Sequence, residues 1–312
     1  MHVFIKRLLF LLGVVLVLLL ASFTYHRLAL QREKASLNPI GQMVAVNGHK
    51  MSVYVKGNGP QTLVFLSGAG TASPILDFKE LYNGLSKEYK VVVVERAGYG
   101  YSEDTSKSRD VSVILSETRQ ALAKAHVSGP YIVISHSMAS LETLLWQEKY
   151  PSEIQAVIGL DWALPESYSQ LKTHPQMLRL ARWGSQLGLL RYLPSRLYMP
   201  NENLNSSDRR LYQRIAYRQI LSQAMLNESL SVKENAKKVD TRINSQIPTL
   251  LLVSNGEGTG FSQEEWRHYA TRFAKDQENI ELTFYDAPHY LYHYHTKEVV
   301  AKIEDFIKET TD

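Results

Sequence analysis

The chain has 312 residues, 44% of them hydrophobic and 21% charged, with a formal net charge of +4. That balance suits a globular protein of one large domain or two small ones and excludes a disordered chain; with no dense Lys/Arg stripe it also argues against nucleic acid as a partner. Cysteine is absent, which excludes a disulfide framework, a cysteine zinc site and a cysteine nucleophile.

The first element is apolar. Leu8 to Tyr25 carries no charge, with Lys6 and Arg7 before it and Arg27, Arg32 and Lys34 after it. At 1.5 Å per residue the run is about long enough to cross a ~30 Å hydrocarbon core. A cleaved signal peptide would look similar, but no clean small-x-small site follows the run. Residues 1–30 therefore read as a membrane anchor and 31–41 as a short polar tether. A very short basic N-terminal tail usually stays cytoplasmic, so the rest of the chain is expected outside the cytoplasm on a single-pass anchor.

The globular part is expected over 42–312. Met43–Gly57 alternates apolar and polar residues around Asn47-Gly48, the pattern of a tight hairpin. Short, continuously apolar runs follow at Thr62–Ser67, Lys90–Glu95, Pro130–Ser135, Ala156–Asp161, Pro248–Ser254 and Ile280–Tyr285. Runs of this kind suit strands covered on both faces. Between and after them, Ile75–Tyr89, Val113–His126, Met138–Tyr150, Ser262–Asp276 and Thr296–Glu309 carry apolar residues at helical spacing. Strand and helix in alternation imply an α/β fold with a mostly parallel sheet and right-handed crossovers. About 163–246 breaks the rhythm: it is helical in pattern, rich in Tyr, Leu and Arg, and too long for a loop. It reads as a helical cap whose Tyr and Met residues either line a pocket or pack the cap helices together.

Within this frame Ser137 falls between the strand run ending at Ser135 and the helix pattern beginning at Met138. A serine on so sharp a turn is exposed at the carboxyl edge of a parallel sheet, the arrangement called a nucleophile elbow. The turn needs small residues two before and two after; Ser135 and Ala139 stand there, in place of the usual glycines. Three further stretches accompany it: "LSGAG" (Leu66–Gly70), "ERAGYGYSE" (Glu95–Glu103) and "DAPHYLYHY" (Asp286–Tyr294). Their order resembles the α/β-hydrolase family, in its serine hydrolase branch with a helical cap, over nearly all of 42–312. The departures are the elbow's Ser and Ala and Ser67, where the family often has His.

The resemblance implies a Ser-His-acid site. Ser137 would be the nucleophile and His289, after the last strand, the general base that takes and returns its proton. Two carboxylates compete for the acid: Glu257, past the seventh strand run, and Asp161, at the end of the strand after the elbow. Glu95 and Asp286 are lesser candidates. By position, the oxyanion hole would come from the backbone amides of Met138 and Ala69. His136 is poorly aimed for a base because it adjoins Ser137 on the turn. His293 and His295 lack a third ligand, so no metal is expected, and no cofactor is implied. "SGAGTAS" lacks the Lys-Ser/Thr ending of a phosphate loop. Epoxide hydrolases and haloalkane dehalogenases of the same fold need Asp at the elbow. The expected substrate is a small-molecule or lipid-like ester or amide. A non-catalytic ligand-binding protein on the same scaffold is the competing expectation, prompted by the altered elbow.

Overall fold

The computed structural model describes residues 2–242 and 246–311. Met1, 243–245 and Asp312, which fall within the expected anchor, cap and C-terminal end, lie outside the described residues. One sheet of eight strands organises the globular part, in the order β1-β2-β4-β3-β5-β6-β7-β8. The strands are β1 (Gln42–Val46), β2 (His49–Lys56), β3 (Thr62–Leu66), β4 (Lys90–Glu95), β5 (Tyr131–His136), β6 (Ile154–Leu160), β7 (Thr249–Val253) and β8 (Ile280–Phe284). Only β2 runs antiparallel to its neighbours; from β4 to β8 every pairing is parallel. The hairpin turn is made by Asn47 and Gly48 with φ of 49° and 82°, the two left-handed residues that a tight primed turn requires.

The helices are α1 (His2–Lys34), α2 (Pro74–Asp77), α3 (Lys79–Leu85), α4 (Val111–Lys124), α5 (Ala139–Lys149), α6 (Pro165–Gln170), α7 (Pro175–Gln186), α8 (Ser206–Gln219), α9 (Gln223–Ala236), α10 (Gln263–Ala274), α11 (Leu291–Tyr294) and α12 (Thr296–Thr311). Local chemistry marks several starts. Asp110 accepts from the Ser112 amide, Asn205 from the Ser207 and Asp208 amides, and Ser262 with Glu265 forms a reciprocal capping box. The single helix expected over Ile75–Tyr89 is two, because Phe78 leaves the helical region at ψ 5°.

Each sheet face buries its own apolar layer. Val64, Val92, Val133 and Val157 point to one, with Trp146 of α5; Phe65, Val93, Ile134 and Ile158 point to the other, with Ile303 and Phe306 of α12. These side chains are at most 3% exposed, and each contributes about 1.5–3 kcal/mol by leaving water. This explains why the runs were apolar without alternation.

Between β6 and β7 the described residues carry only helices, 3-10 turns and loops. Here α6 to α9 form the cap over the carboxyl ends of the central strands. Helix α1 is long and apolar enough to cross a membrane, with a mean hydropathy of 2.7 over its most apolar window. It differs from the expected division at its far end. The polar stretch after Leu30 stays helical to Lys34, and Glu33 meets Arg191 of the cap through two 2.8 Å hydrogen bonds. An ion pair with a structured partner holds as a helix what polarity alone suggests is a loose tether.

Candidate active site

The site lies where β5, β6 and the loops after β7 and β8 end. Ser137 follows β5 with φ 52°, and Asp161 follows β6 with φ 48°, the left-handed region that L-residues enter only in forced turns. Each turn is held by the neighbouring strand: the Ser137 amide donates to the Leu160 carbonyl at 3.1 Å, and the Asp161 amide to the Leu252 carbonyl at 2.8 Å. The sheet thus sets the spacing of the two side chains.

Ser135 does more than fit the small position before the elbow. Its Oγ accepts from Thr143 Oγ1 at 2.9 Å and from Trp162 Nε1 at 2.8 Å, tying α5 and the start of the cap to the turn. Gly68 explains its own size. A Cβ there would lie 2.8 Å from both Ser137 Cβ and His136 Nδ1, so the loop after β3 backs directly onto the elbow.

His289 Nε2 lies 2.8 Å from Ser137 Oγ, and His289 Nδ1 lies 2.6 Å from Asp161 Oδ2. Asp161 is fully buried. Its other oxygen, Oδ1, accepts from the Ser254 amide at 2.7 Å and from Trp266 Nε1 at 2.8 Å. With acceptor oxygens only, this carboxylate fixes the imidazole with its proton on Nδ1 and leaves Nε2 free to accept from the serine hydroxyl.

Of the two carboxylates in competition, the structure brings Asp161 to His289 and leaves the Glu257 side chain exposed. Glu257 meets the histidine through its backbone instead: its carbonyl accepts from the His289 amide at 2.8 Å. The His289 carbonyl in turn lies 3.2 Å from His136 Nε2, which must donate to it. Burial, then the neighbouring His289, hold the His136 imidazole well below its usual pKa, so it stays neutral and braces the other ring. Glu95 and Asp286 face elsewhere. Glu95 is buried beneath the turn it precedes and accepts from the Tyr101 amide at 2.8 Å, and Asp286 accepts from Asn255.

His293 and His295 are also accounted for. His293 Nε2 lies 3.1 Å from the Asp77 carbonyl, and His295 Nδ1 lies 2.9 Å from Glu298. Among the described residues no three metal-binding side chains come together.

A cavity of about 700 Å³ opens over Ser137 and His289. Ala69 and Met138, the expected oxyanion positions, both line it, and neither amide donates to another protein group among the described residues. Met138 also stands at the N-terminus of α5, where amides are unpaired and the helix dipole favours negative charge. The walls are mostly apolar, with Tyr168, Leu171, Met177, Leu178, Val232 and Phe261. The cap's aromatic content therefore serves both expected ends: Tyr168 lines the cavity, joined by Tyr290 from the loop after β8, whereas Tyr198, Tyr212 and Tyr217 pack cap helices against the body.

Sequence reasoning missed a buried charge cluster behind this cavity. Glu228, on α9 of the cap, accepts from Tyr99 at 2.6 Å, from Arg96 at 3.4 Å and from Arg109 at 3.3 Å, and all four side chains are almost fully buried. Arg96 also donates to the Ser67 carbonyl at 2.8 Å and the Gly68 carbonyl at 3.3 Å. The cap is thereby linked to the loop that carries Ala69. Arg96 lies in the "ERAGYGYSE" turn, but nothing local marks Glu228 as its partner. Trp266 and Ser254, which hold Asp161, were missed for the same reason.

Comparison with known proteins agrees with this architecture. The uncharacterized protein YbdG of Bacillus subtilis is 33% identical over 312 residues, covering 95% of this chain and 94% of its own. An epoxide hydrolase from Vigna radiata superposes with a TM-score of 0.66 at 16% identity, covering 86% of this chain and 97% of that one. An esterase from Exiguobacterium antarcticum gives 0.65 at 14% identity, covering 86% and 99%. At such identities the two structures attest the fold alone. The family model described as "Alpha/beta hydrolase family" matches residues 63–303, a span that takes in the elbow, the cap and His289, and the chain belongs to the α/β-hydrolase family.

Proposed function

We propose that this protein is a membrane-tethered serine hydrolase that cleaves an ester or amide through an acyl-enzyme. The observation that carries this is the hydrogen-bonded line from Ser137 Oγ through His289 to Asp161, at 2.8 and 2.6 Å, open to a cavity at its serine end.

In this mechanism Ser137 Oγ attacks the carbonyl carbon while His289 Nε2 takes its proton. Buried Asp161 keeps the ring in the accepting tautomer and offsets the charge of the imidazolium. The carbonyl oxygen becomes an oxyanion, which the Met138 and Ala69 amides receive; fixed donors in a water-poor site are worth far more than the same donors in water. The tetrahedral species collapses, the C–O or C–N bond breaks, and the leaving group takes the proton from His289. Water, deprotonated by the same imidazole, then releases the acid and restores Ser137. No metal or cofactor enters. A serine at the elbow favours this course over epoxide opening, which needs a carboxylate there.

The apolar walls favour a small-molecule or lipid-like acyl group. Anchoring rather than cleavage is supported by the packing of α1. Ser22 and His26 are buried against the cap, so removal of the segment would uncover a packed face.

The test is labelling with a fluorophosphonate probe, with Ser137→Ala beside wild type. Labelling of wild type alone supports the assignment. No labelling of either folded protein would overturn it and favour a ligand-binding role.

A further inference from the structure

Most of the exposed large apolar side chains outside α1 fall in one stretch of the cap, residues 177–197. Leu180 and Trp183 stand one turn apart on the outer side of α7, 65% and 66% exposed, and Met177, 64% exposed, adjoins them while also reaching the cavity lining. Tyr192, Leu193 and Leu197 follow in and between the 3-10 turns Leu189–Tyr192 and Ser195–Leu197, at 48–66%. None of α7 is buried. Its other side, through Leu178 and Ala181, lines the cavity over Ser137. A surface helix of a water-soluble domain carries an apolar stripe that faces the core; on α7 the apolar arc is wide enough to run from the cavity side round to the exposed Leu180 and Trp183, with Arg179, Arg182 and Gln186 on the remaining face.

The contact between α1 and the cap says what covers the outer side. Ser22 Oγ donates to the Leu187 carbonyl at 2.7 Å, directly after α7, and Arg191 Nε donates to His26 Nδ1 at 2.9 Å. Gly188, with φ 83°, packs so closely that a Cβ would lie 2.5 Å from His26 Cβ. Ser22 belongs to the uncharged run that ends at Tyr25, and three helical residues are about 4.5 Å. The end of α7 is therefore held about one turn inside the apolar segment. Trp183 is one helical turn before Leu187, at most about 6 Å away along the helix axis whichever way α7 points. Arg27, Arg179 and Arg196 are exposed around this region, and basic side chains beside an apolar face are what anionic headgroups attract.

We propose that the outer face of α7 and the 3-10 turns after it is seated in the lipid interface of the bilayer that α1 enters, so that one helix separates lipid from the substrate cavity. This rests on the reading of α1 as a membrane anchor.

The test uses the full chain in phosphatidylcholine/phosphatidylglycerol vesicles, with and without chain-brominated lipid, alongside Trp183→Phe. The other three tryptophans, Trp146, Trp162 and Trp266, are at most 6% exposed, so the difference between the two proteins isolates Trp183. The expected result is resistance to alkaline carbonate extraction together with quenching by brominated lipid that is lost in Trp183→Phe. Resistance to extraction with no such quenching overturns the seated surface and leaves the anchor standing. Extraction of the full chain overturns the anchor, and the surface with it. Concentration-dependent shielding of Trp183 from acrylamide in lipid-free detergent assigns the face to a second copy of the chain and likewise overturns the proposal.

Discussion

Replacing Asp161 by Asn tests the candidate site most directly, because its surroundings dictate how the amide must sit. Oδ1 accepts from two fixed donors, the Ser254 amide and Trp266 Nε1. In Asp161→Asn the side-chain oxygen keeps these two, since a flipped amide would set its NH2 against both. The NH2 group then faces His289 Nδ1, 2.6 Å away in the parent. Two donors cannot share that distance, so the imidazole moves its proton to Nε2 and can no longer accept from Ser137 Oγ. The fold should lose only about 1.5–3 kcal/mol, the range for a hydrogen bond to a charged group. The kcat for a p-nitrophenyl ester should fall about 10⁴-fold, or roughly 5.5 kcal/mol of transition-state stabilisation, with KM little changed. The parallel variant Glu257→Gln should leave kcat nearly intact, since only its backbone touches His289. A drop of less than about tenfold in Asp161→Asn, or a large drop in Glu257→Gln instead, would refute the reasoning.

Three further outcomes are expected. Gly68→Ala should push the loop away from Ser137 and His136 and lower kcat by about 10²–10³-fold, the effect of losing one oxyanion donor; stopped-flow acylation at unchanged circular dichroism measures it, and wild-type acylation would mean the loop does not position the donor. Glu228→Ala removes the carboxylate shared by Arg96, Arg109 and Tyr99 and should cost about 3–5 kcal/mol in denaturant unfolding, with a lower kcat as Arg96 loses its hold on the Ser67 and Gly68 carbonyls; an unchanged midpoint would show the cluster to be dispensable. Burial pushes Glu95 up to about 7 from 4.5. A carboxyl raised by folding stabilises the protein fully below its unfolded value, and this is lost as pH rises through the folded one. Over that window the change is roughly 3 kcal/mol. His136, lowered by burial, acts in the opposite direction, so the readout is the melting difference between parent and Glu95→Gln, which should narrow from pH 5 to pH 8 in favour of the variant.

The sheet was legible because its strands are buried on both faces and so carry uninterrupted apolar runs, and Ser137 because a strand, a small-residue turn and a helix surround it in sequence. The choice between Asp161 and Glu257 was not legible. Both follow a strand end, and what separates them is distance: Trp266 and Ser254, about a hundred residues beyond Asp161, supply the donors that hold it. Glu228 was hidden for a related reason. In "LNESLSVKE" it looks like one more solvated helix charge, and only the docking of α9 onto Arg96 and Arg109 makes it a buried one. Ser22 and His26 were similarly masked, since the polarity of two residues at the end of an apolar helix does not announce which face meets the cap.

The charge cluster also divides the cap into parts of unequal compliance. Displacing α9 means separating Glu228 from two buried guanidinium groups and Asn235 from the Val111 amide and the Arg109 carbonyl. Displacing α7 means giving up the hydrogen bonds of Arg182 to the Leu221 carbonyl and Ser185 to the Ile220 carbonyl, and that of Ser22 to the Leu187 carbonyl at its end, with no side chain drawn from the core. The roof of the cavity thus has one rigid wall and one soft one, and thermal fluctuation that widens the route to Ser137 concentrates on the soft side, at α7, while the wall bonded to the glycine loop keeps its register.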